Sequence, residues 1–243
     1  MINDGIRAAE ALPDSILMLG QSNMAGRGDM GQVRPIRNPL CYMLRMGRWQ
    51  PMCEPVNPDR AIFEGRYRSG ISPAASFADE YARYFGRPVG LIPCADGGTC
   101  ISQWLPGEPN YDHAVMQAGL AMRSSRLRAV LWHQGESDCL SDAGVAAYAE
   151  QFIRIVDRLR RDLNLPDLPV ILGQLPREIS SSWKTQGREA EMNRILDRLA
   201  REVPHCAIAS SEGLTVKPDG VHFDAPACRE FGKRYFEAFL TVK

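Results

Sequence analysis

The fold is decided by the stretch Ile16-Leu17-Met18-Leu19-Gly20-Gln21-Ser22-Asn23-Met24-Ala25-Gly26. A short apolar run that ends at a glycine is typical of a buried strand, and Gly20 lets the chain turn sharply behind it. We expect Ser22 at the start of the next helix, with its hydroxyl as a candidate nucleophile and its backbone N–H as a candidate oxyanion donor. The same pattern is typical of an ordinary turn with a serine helix cap, so the stretch alone leaves both interpretations open.

Four further apolar runs alternate with helical patterns along the chain. They cover residues 89–93, 129–132, 170–173 and 206–209. Strands of continuous apolar character that alternate with helices are typical of a parallel sheet covered on both faces. We therefore predict one α/β domain over residues 1–243, a three-layer α/β/α sandwich with a five-stranded parallel sheet.

Helix boundaries are marked by local signals in two places. Ser72 followed by Pro73 predicts the start of a helix that ends at Gly86, and Ser141 or Asp142 is expected to cap a second, longer helix. Residues 27–70 follow no sustained period. So long an irregular stretch is usually functional, and we expect it to line one side of a pocket, with Trp49 and Tyr67 as candidate walls.

The charge balance excludes one class of partner. Twenty-nine basic residues equal twenty-nine acidic residues, whereas binding to a nucleic-acid backbone requires a concentrated positive field. The first 14 residues contain no apolar run of the length that a signal peptide needs, and no later run approaches the length of a membrane span. We expect a cytoplasmic protein that binds neither nucleic acid nor membranes, or a secreted or periplasmic protein if a leader has been removed.

The seven cysteines do not form a regular framework. Their number is odd and no Cys-x-x-Cys pair occurs, so we expect mostly buried thiols. A bridge between Cys94 and Cys100 is left open. The four histidines show no spacing typical of zinc ligands, and the chain lacks the Lys-Ser/Thr of a phosphate-binding loop.

A carboxylate and a histidine stand three residues apart near the end of the chain. Asp219 and His222 lie in a stretch opened by Pro218 and broken by Gly220. In a tight turn this spacing can place the carboxylate against one imidazole nitrogen and leave the other facing outward. The pair is also typical of a turn former beside a surface histidine. Because Ser22 and His222 both follow strands of one sheet, we predict a Ser22–His222–Asp219 triad.

An ester-hydrolysing serine also needs hydrogen-bond donors for the oxyanion. Three candidates follow strands of the predicted sheet: the N–H of Ser22, a backbone N–H at Gly97 or Gly98, and the side-chain amide of Gln134. Ser22 lacks the Gly-x-Ser-x-Gly setting of the α/β-hydrolase elbow, because Met24 stands where the second glycine would be.

Together these motifs resemble the SGNH (GDSL-like) hydrolase superfamily. More narrowly, the chain is similar to carbohydrate esterase family 6 acetylxylan esterases and sialate O-acetylesterase-like proteins. The motifs are Gly20-Gln21-Ser22-Asn23-Met24, Gly97-Gly98-Thr99, His133-Gln134-Gly135-Glu136-Ser137-Asp138 and Asp219-Gly220-Val221-His222. Gln21 and Gln134 depart from the aspartate and asparagine of the broader superfamily, and both departures match the narrower branch.

The resemblance implies a flavodoxin-like fold and hydrolysis of O-acetyl groups, typically on sugars, without a metal or another cofactor. It implies Ser22 as nucleophile, His222 and Asp219 as the acid–base pair, and Ser22, Gly97 and Gln134 as oxyanion donors. Glu136 remains an alternative triad acid, or a structural group that holds the turn near Ser22. His133 is expected to orient a neighbour by a hydrogen bond or to lie in the core.

The rim of the site is expected to favour a sugar. Gln21, Asn23, Trp104 and His133 are predicted to line the substrate site, and Arg27, Arg45, Trp49 and Arg66 add polar and aromatic character around it. The expected substrate is an acetylated saccharide or another small acetyl ester. Two alternatives stay open: a broader short-chain esterase, lipase or thioesterase, and a carbohydrate-binding relative that has lost turnover.

Overall fold

The computed structural model describes residues 12–58 and 68–242, and these contain one seven-stranded sheet. The strands are β1 Asp14–Gly20, β2 Cys41–Arg45, β3 Arg48–Pro51, β4 Val89–Pro93, β5 Arg126–His133, β6 Val170–Gly173 and β7 Cys206–Ala209. Their order is β3-β2-β4-β1-β5-β6-β7, and every neighbouring pair is parallel except the hairpin of β2 and β3.

The five predicted strands are confirmed, but the predicted strand number is wrong. The two missing strands, β2 and β3, lie in the region that was expected to be irregular, and they form the edge of the sheet. β3 is only partly buried and has no continuous apolar run. β2 does contain one, Cys41-Tyr42-Met43-Leu44, so this strand could have been predicted from the same signal as the central strands. Arg66 and Tyr67 lie outside the described residues.

Helices cover both faces of the sheet. They are α1 Ser22–Ala25, α2 Pro73–Phe85, α3 Pro109–Met122, α4 Asp142–Asp162, α5 Arg188–Glu202 and α6 Ala225–Thr241. Alternate side chains of β1 separate the two layers. Ile16 and Met18 belong to the core formed with α2 and α6, and Leu17 and Leu19 belong to the core formed with α3, α4 and α5. The three-layer α/β/α architecture is thereby confirmed.

The helix signals read from the sequence also hold. Ser72 Oγ accepts a hydrogen bond from the N–H of Ala74 at 3.3 Å, and Gly86 ends α2 with a φ of 61°. Of the two candidate caps for α4, Ser141 is the one used, because its Oγ accepts from the N–H of Gly144 at 3.0 Å.

The carboxyl ends of β4, β1 and β5 stand side by side, which places the loops after them at one edge of the sheet. At this edge the backbone of Gly20 lies very close to the backbone of His133. The φ of Gly20 is 120°, and a Cβ at this position would lie 2.0 Å from the carbonyl oxygen of His133. The N–H of Gln21 donates to that oxygen at 2.8 Å, and the N–H of Asp96 donates to the Gly20 carbonyl at 2.8 Å. These bonds join the three loops directly behind Ser22.

All seven cysteines lie within the described residues and are free thiols, so the bridge between Cys94 and Cys100 is not formed. Burial raises the pKa of the Cys94 thiol to about 12, which leaves it protonated and unreactive. Among the helices of the described residues, none has both the length and the apolar character that crossing a membrane would require.

Candidate active site

Ser22, His222 and Asp219 form one continuous chain of hydrogen bonds. The Ser22 Oγ lies 2.9 Å from His222 Nε2, and His222 Nδ1 lies 2.9 Å from Asp219 Oδ2. A carboxylate only accepts, so Nδ1 carries the ring proton and donates it to Asp219. Nε2 is then left with a lone pair that accepts from the Ser22 hydroxyl. The structure thus brings Ser22 against a histidine that is 200 residues away in sequence.

The Asp219 carboxylate is fixed by its own turn as well as by the imidazole. Its Oδ1 accepts from the backbone N–H of Val221 at 3.1 Å and of His222 at 3.0 Å. Burial is the largest single influence and raises the pKa of Asp219, but the hydrogen bonds from backbone and imidazole together outweigh it and hold the pKa below its usual value. Asp219 is therefore ionised at neutral pH and oriented toward Nδ1.

Gly97 lies beside the serine. A Cβ added to Gly97 would stand 3.6 Å from the Ser22 Cβ and only 2.5 Å from Nη2 of Arg27. The backbone at Gly97 therefore approaches both Ser22 and the Arg27 guanidinium closely. Gly98 follows with a φ of 78° and is exposed. This placement agrees with Gly97 as the nearer of the two backbone candidates for an oxyanion donor.

Gln134 does not lie where its predicted role requires. Its side chain is fully buried, and its Nε2 donates to the carbonyl oxygen of Thr99 at 2.8 Å and to Oδ2 of Asp138 at 2.5 Å. A primary amide has two N–H groups, and both are used by these acceptors. The structure does not support Gln134 as a side-chain oxyanion donor. It instead links the loop after β4 to the loop after β5.

The four residues predicted to line the substrate site are buried beneath it. Gln21, Asn23, Trp104 and His133 are each no more than 3% exposed. Trp104 donates its indole N–H to Thr99 Oγ1 at 3.0 Å and packs edge-on against Trp132. Because they are buried, these side chains do not form the rim of the site. Their polar groups instead bond to partners inside the protein and so support the loops of the site.

Asn23 connects the serine turn to the histidine turn. Its Nδ2 donates to the Val221 carbonyl at 3.1 Å, and its Oδ1 accepts from the N–H of Phe223 at 3.0 Å. The two bonds flank His222 on both sides in sequence. Because Asn23 directly follows Ser22, this single side chain fixes the spacing between the serine and the imidazole.

Glu136 lies behind Asn23 and not against the triad histidine. Its Oε1 accepts from Asn23 Nδ2 at 2.6 Å and lies 3.3 Å from His133 Nε2. Burial raises the pKa of Glu136, but the neighbouring His133 and the bond from Asn23 outweigh it and hold the pKa below its usual value. Of the two candidate acids, Asp219 contacts His222, and Glu136 holds the turn, as its structural alternative anticipated.

His133 lies in the core and orients its neighbours, as expected. Its Nδ1 is 3.1 Å from the hydroxyl of Tyr235, and that hydroxyl donates to the carbonyl of Trp132 at 3.0 Å. The ring is fully buried and packs edge-on against Phe223 and Phe231. His133 is thereby held as a fixed partner for Glu136.

The aromatic residue beside the triad is one that the sequence interpretation missed. Trp183 packs edge-on against His222, with ring centroids 5.9 Å apart and an interplanar angle of 90°. Its indole N–H donates to the Asp219 carbonyl at 2.8 Å, yet the residue is 40% exposed. A lone tryptophan after three consecutive serines, in a segment without an apolar stripe, is the signal that could have found it.

Two predicted rim residues have other partners. Trp49 lies over Gly90 in the sheet and donates to Ser124 Oγ at 3.2 Å, which places it toward the amino end of β5 and away from the site. Arg45 donates from Nη2 to the carbonyls of Pro55 and Val56.

Within the described residues, no group of three or more His, Cys, Asp or Glu side chains is arranged to hold a metal ion.

The family model of the carbohydrate esterases described as sialic acid-specific acetylesterases matches residues 14–241. The chain is 30% identical to a probable carbohydrate esterase of Arabidopsis thaliana, At4g34215, over 94% of this chain and 91% of that protein.

Solved structures agree with this result. The crystal structure of the Arabidopsis thaliana protein aligns with a TM-score of 0.81 at 28% identity, covering 95% of this chain and 99% of that one. The crystal structure of NanS aligns with a TM-score of 0.73 at 17% identity, covering 94% and 97%, and at this identity it speaks for the fold alone. The chain is therefore a carboxylic ester hydrolase and belongs to the carbohydrate esterase family of sialic acid-specific acetylesterases.

Proposed function

We propose that the protein removes O-acetyl groups from carbohydrates through a Ser22–His222–Asp219 triad and an acetyl-enzyme intermediate. The observation that carries this proposal is the 2.9 Å contact between Ser22 Oγ and His222 Nε2, with Asp219 on the opposite ring nitrogen. A serine hydroxyl is a weak nucleophile until an adjacent base takes its proton, and this arrangement supplies that base in the required tautomer.

In the first half-reaction His222 Nε2 takes the proton of Ser22 as Oγ attacks the acetyl carbonyl carbon. The carbonyl oxygen becomes an oxyanion, and the backbone N–H groups of Ser22 and Gly97 are the proposed donors to it. The imidazolium, stabilised by ionised Asp219, then gives its proton to the sugar oxygen. The bond between the acetyl carbon and that oxygen breaks, so that the sugar alcohol leaves and acetyl-Ser22 remains.

In the second half-reaction water takes the place of the sugar. His222 removes a proton from the water, whose oxygen attacks the carbonyl carbon of acetyl-Ser22. Collapse of the intermediate returns the proton to Ser22 Oγ and releases acetate. The same donors act on both oxyanions, so no further side chain is required.

A short acyl group suits the space around Ser22. The Arg27 guanidinium packs against Gly97, so that even a methyl group on Gly97 would approach Nη2 to 2.5 Å. Lys217 adds a second cation nearby, since its Nζ donates to the Arg27 carbonyl at 2.9 Å. A long apolar acyl chain would need an apolar trough, whereas these groups give one side of the site a polar wall.

The test compares p-nitrophenyl acetate, butyrate and octanoate, followed by acetylated xylo-oligosaccharides and O-acetylated N-acetylneuraminic acid. We expect turnover to fall steeply from acetate to octanoate and to be lost in Ser22→Ala, by about 10³-fold or more. Ser124→Ala, at the opposite end of β5, is the matched control and should retain full activity. Acetate turnover that survives in Ser22→Ala would refute the nucleophile, and a preference for octanoate would favour a lipase.

A further inference from the structure

Trp183 stands out among the four tryptophans of the chain. Trp104 and Trp132 are 1% exposed, and Trp49 packs over the sheet at Gly90. Trp183 is 40% exposed. It lies in the short 3₁₀ helix Ser181–Trp183, which follows β6 and precedes α5. It is thus the tryptophan that presents an open ring surface next to the triad.

The Trp183 segment is built onto the turn that carries the base. The N–H of Ser180 donates to the Gly220 carbonyl at 2.9 Å, and the indole N–H of Trp183 donates to the Asp219 carbonyl at 2.8 Å. A Cβ on Gly220 would stand 2.3 Å from the Cβ of Ser180, so the two segments are in direct contact. The position of the ring is therefore fixed relative to His222.

The chemistry places the leaving group on this side of the site. If His222 returns its proton to the sugar oxygen, that oxygen must come within hydrogen-bond reach of Nε2. The centroid of the Trp183 ring system is only 5.9 Å from that of the imidazole. A pyranose attached to the departing oxygen is several ångströms across, which is enough to reach the neighbouring aromatic surface.

Resting on the function proposed above, we propose that Trp183 is the platform for the leaving sugar and sets the preference for pyranose esters over simple alkyl esters. An exposed aromatic ring with its polar N–H already bonded offers a rigid apolar surface to the C–H face of a sugar. Fixing that sugar orients the ester oxygen toward His222 without a contact to the acetyl group.

The indole has two separable roles, and two substitutions distinguish them. Trp183→Ala removes both the ring surface and the hydrogen bond to Asp219. Trp183→Phe keeps a ring and removes only the N–H donor. Tyr84→Ala, at an aromatic residue of α2 that is 65% exposed and packs on Phe85 and Phe236, is the control for loss of an exposed ring elsewhere.

The experiment measures kcat and KM for two acetyl esters that share the acyl group and differ in the alcohol. One is the acetylated sugar that the wild-type protein hydrolyses fastest, and the other is ethyl acetate, whose alcohol is too small to cover the ring. For Trp183→Ala we expect kcat/KM on the sugar ester to fall by about 10-fold or more, mainly through KM, and on ethyl acetate by less than about threefold. Trp183→Phe should stay within about threefold of wild type on both esters.

Equal losses on both esters in Trp183→Ala would overturn the platform, because they would mean that the ring only supports the Asp219 turn. Unchanged hydrolysis of the sugar ester would overturn it as well. So would a wild-type protein that hydrolyses ethyl acetate and no acetylated sugar, although the serine mechanism would then stand.

A binding measurement separates failure of the platform from failure of catalysis. Ser22→Ala is titrated with 9-O-acetyl-N-acetylneuraminic acid and with acetylated xylobiose while tryptophan fluorescence is recorded. A saturable change with either sugar that disappears in Ser22→Ala/Trp183→Phe supports the platform even if the wild-type protein proves inactive. A change that persists in the double variant, or no change with either sugar, counts against it.

Discussion

Asn23 donates a hydrogen bond of 2.6 Å to the buried carboxylate of Glu136. Both side chains are at most 5% exposed. Glu136 lies in the loop after β5 and holds the Asn23 carboxamide through this bond. The carboxamide in turn bonds to Val221 and Phe223, the residues on either side of His222. The distance between serine and histidine is therefore set from beneath the site, by groups outside the triad.

Removing the Asn23 carboxamide should affect turnover more than binding. We expect Asn23→Ala to lower kcat by about 10- to 100-fold with little change in KM, because His222 loses its fixed spacing to Ser22 while the surface of the site is untouched. The free energy of unfolding should fall by about 1–3 kcal/mol, since buried partners are left unpaired. The measurement is steady-state kinetics on p-nitrophenyl acetate together with urea unfolding.

Asn38→Ala is the matched control for this prediction. Asn38 donates to Asp79 Oδ1 at 2.8 Å and accepts from the N–H of Leu40 at 3.0 Å, so it also bridges two segments. It should lower stability and leave kcat unchanged. If Asn23→Ala kept the wild-type kcat, the spacing of Ser22 and His222 would not depend on this side chain.

The two candidate acids give opposite expectations in a paired test. Asp219→Asn should lower kcat by about 10³- to 10⁴-fold, because an amide on Nδ1 no longer fixes the tautomer or stabilises the imidazolium. Glu136→Gln keeps an oxygen that can accept from Asn23, and its kcat should stay within about 10-fold of wild type. Both variants are first checked for a native far-UV circular dichroism spectrum. The reverse order of losses would make Glu136 the functional acid.

Asp138 should give the protein a pH-dependent stability with an unusual sign. Its Oδ2 accepts from Gln134, and the N–H of Ile101 bonds to both carboxylate oxygens at 3.1 Å. Burial raises the pKa of Asp138 to about 6 from 3.8, and the hydrogen bonds only partly offset it. Between these values the folded protein holds a proton that the unfolded chain has released, so this group lowers the free energy of unfolding as pH rises from about 4 to 6.

Asp138→Asn isolates that contribution. The quantity of interest is the free energy of unfolding of the wild type minus that of the variant. We expect this difference to fall by up to about 3 kcal/mol between pH 4 and 6 and to stay constant at higher pH. Urea unfolding at half-unit pH intervals gives the difference. Asp219, whose pKa is lowered and which is not coupled to Asp138, acts in the opposite sense at lower pH and cancels in the subtraction. A difference that does not vary with pH would contradict a raised pKa for Asp138.

The parts of the fold and site that the sequence predicted are those specified by short segments. The apolar run before Gly20 specifies β1 and delivers Ser22, and the turn from Asp219 to His222 holds its own carboxylate by backbone N–H groups three residues or fewer away. Such features need only their neighbours in sequence. Each could therefore be predicted with a residue number attached.

The parts that were missed or misplaced depend on contacts between distant segments. The direction of the Gln134 amide is decided by the Thr99 carbonyl, 35 residues away, and by Asp138. β3 is positioned by its antiparallel pairing with β2, since it has no apolar run of its own. Trp183 is positioned by its hydrogen bond to the carbonyl of Asp219, 36 residues away. None of these partners can be read from the local sequence pattern.

The turn at Gly20 should tolerate no side chain, and a second glycine provides the comparison. In Gly20→Ala the new Cβ would lie 2.0 Å from the His133 carbonyl oxygen at a φ of 120°, so the backbone behind Ser22 must move. We expect a loss of at least about 3 kcal/mol in the free energy of unfolding and a loss of esterase activity in the protein that remains folded. In Gly119→Ala, within α3, the Cβ meets nothing within 4 Å. That variant should gain about 0.5–1 kcal/mol and keep its activity, because alanine is the better helix former. Thermal unfolding and p-nitrophenyl acetate turnover of the two variants test this prediction. Equal stability of the two variants would mean that the backbone at Gly20 is free to adjust.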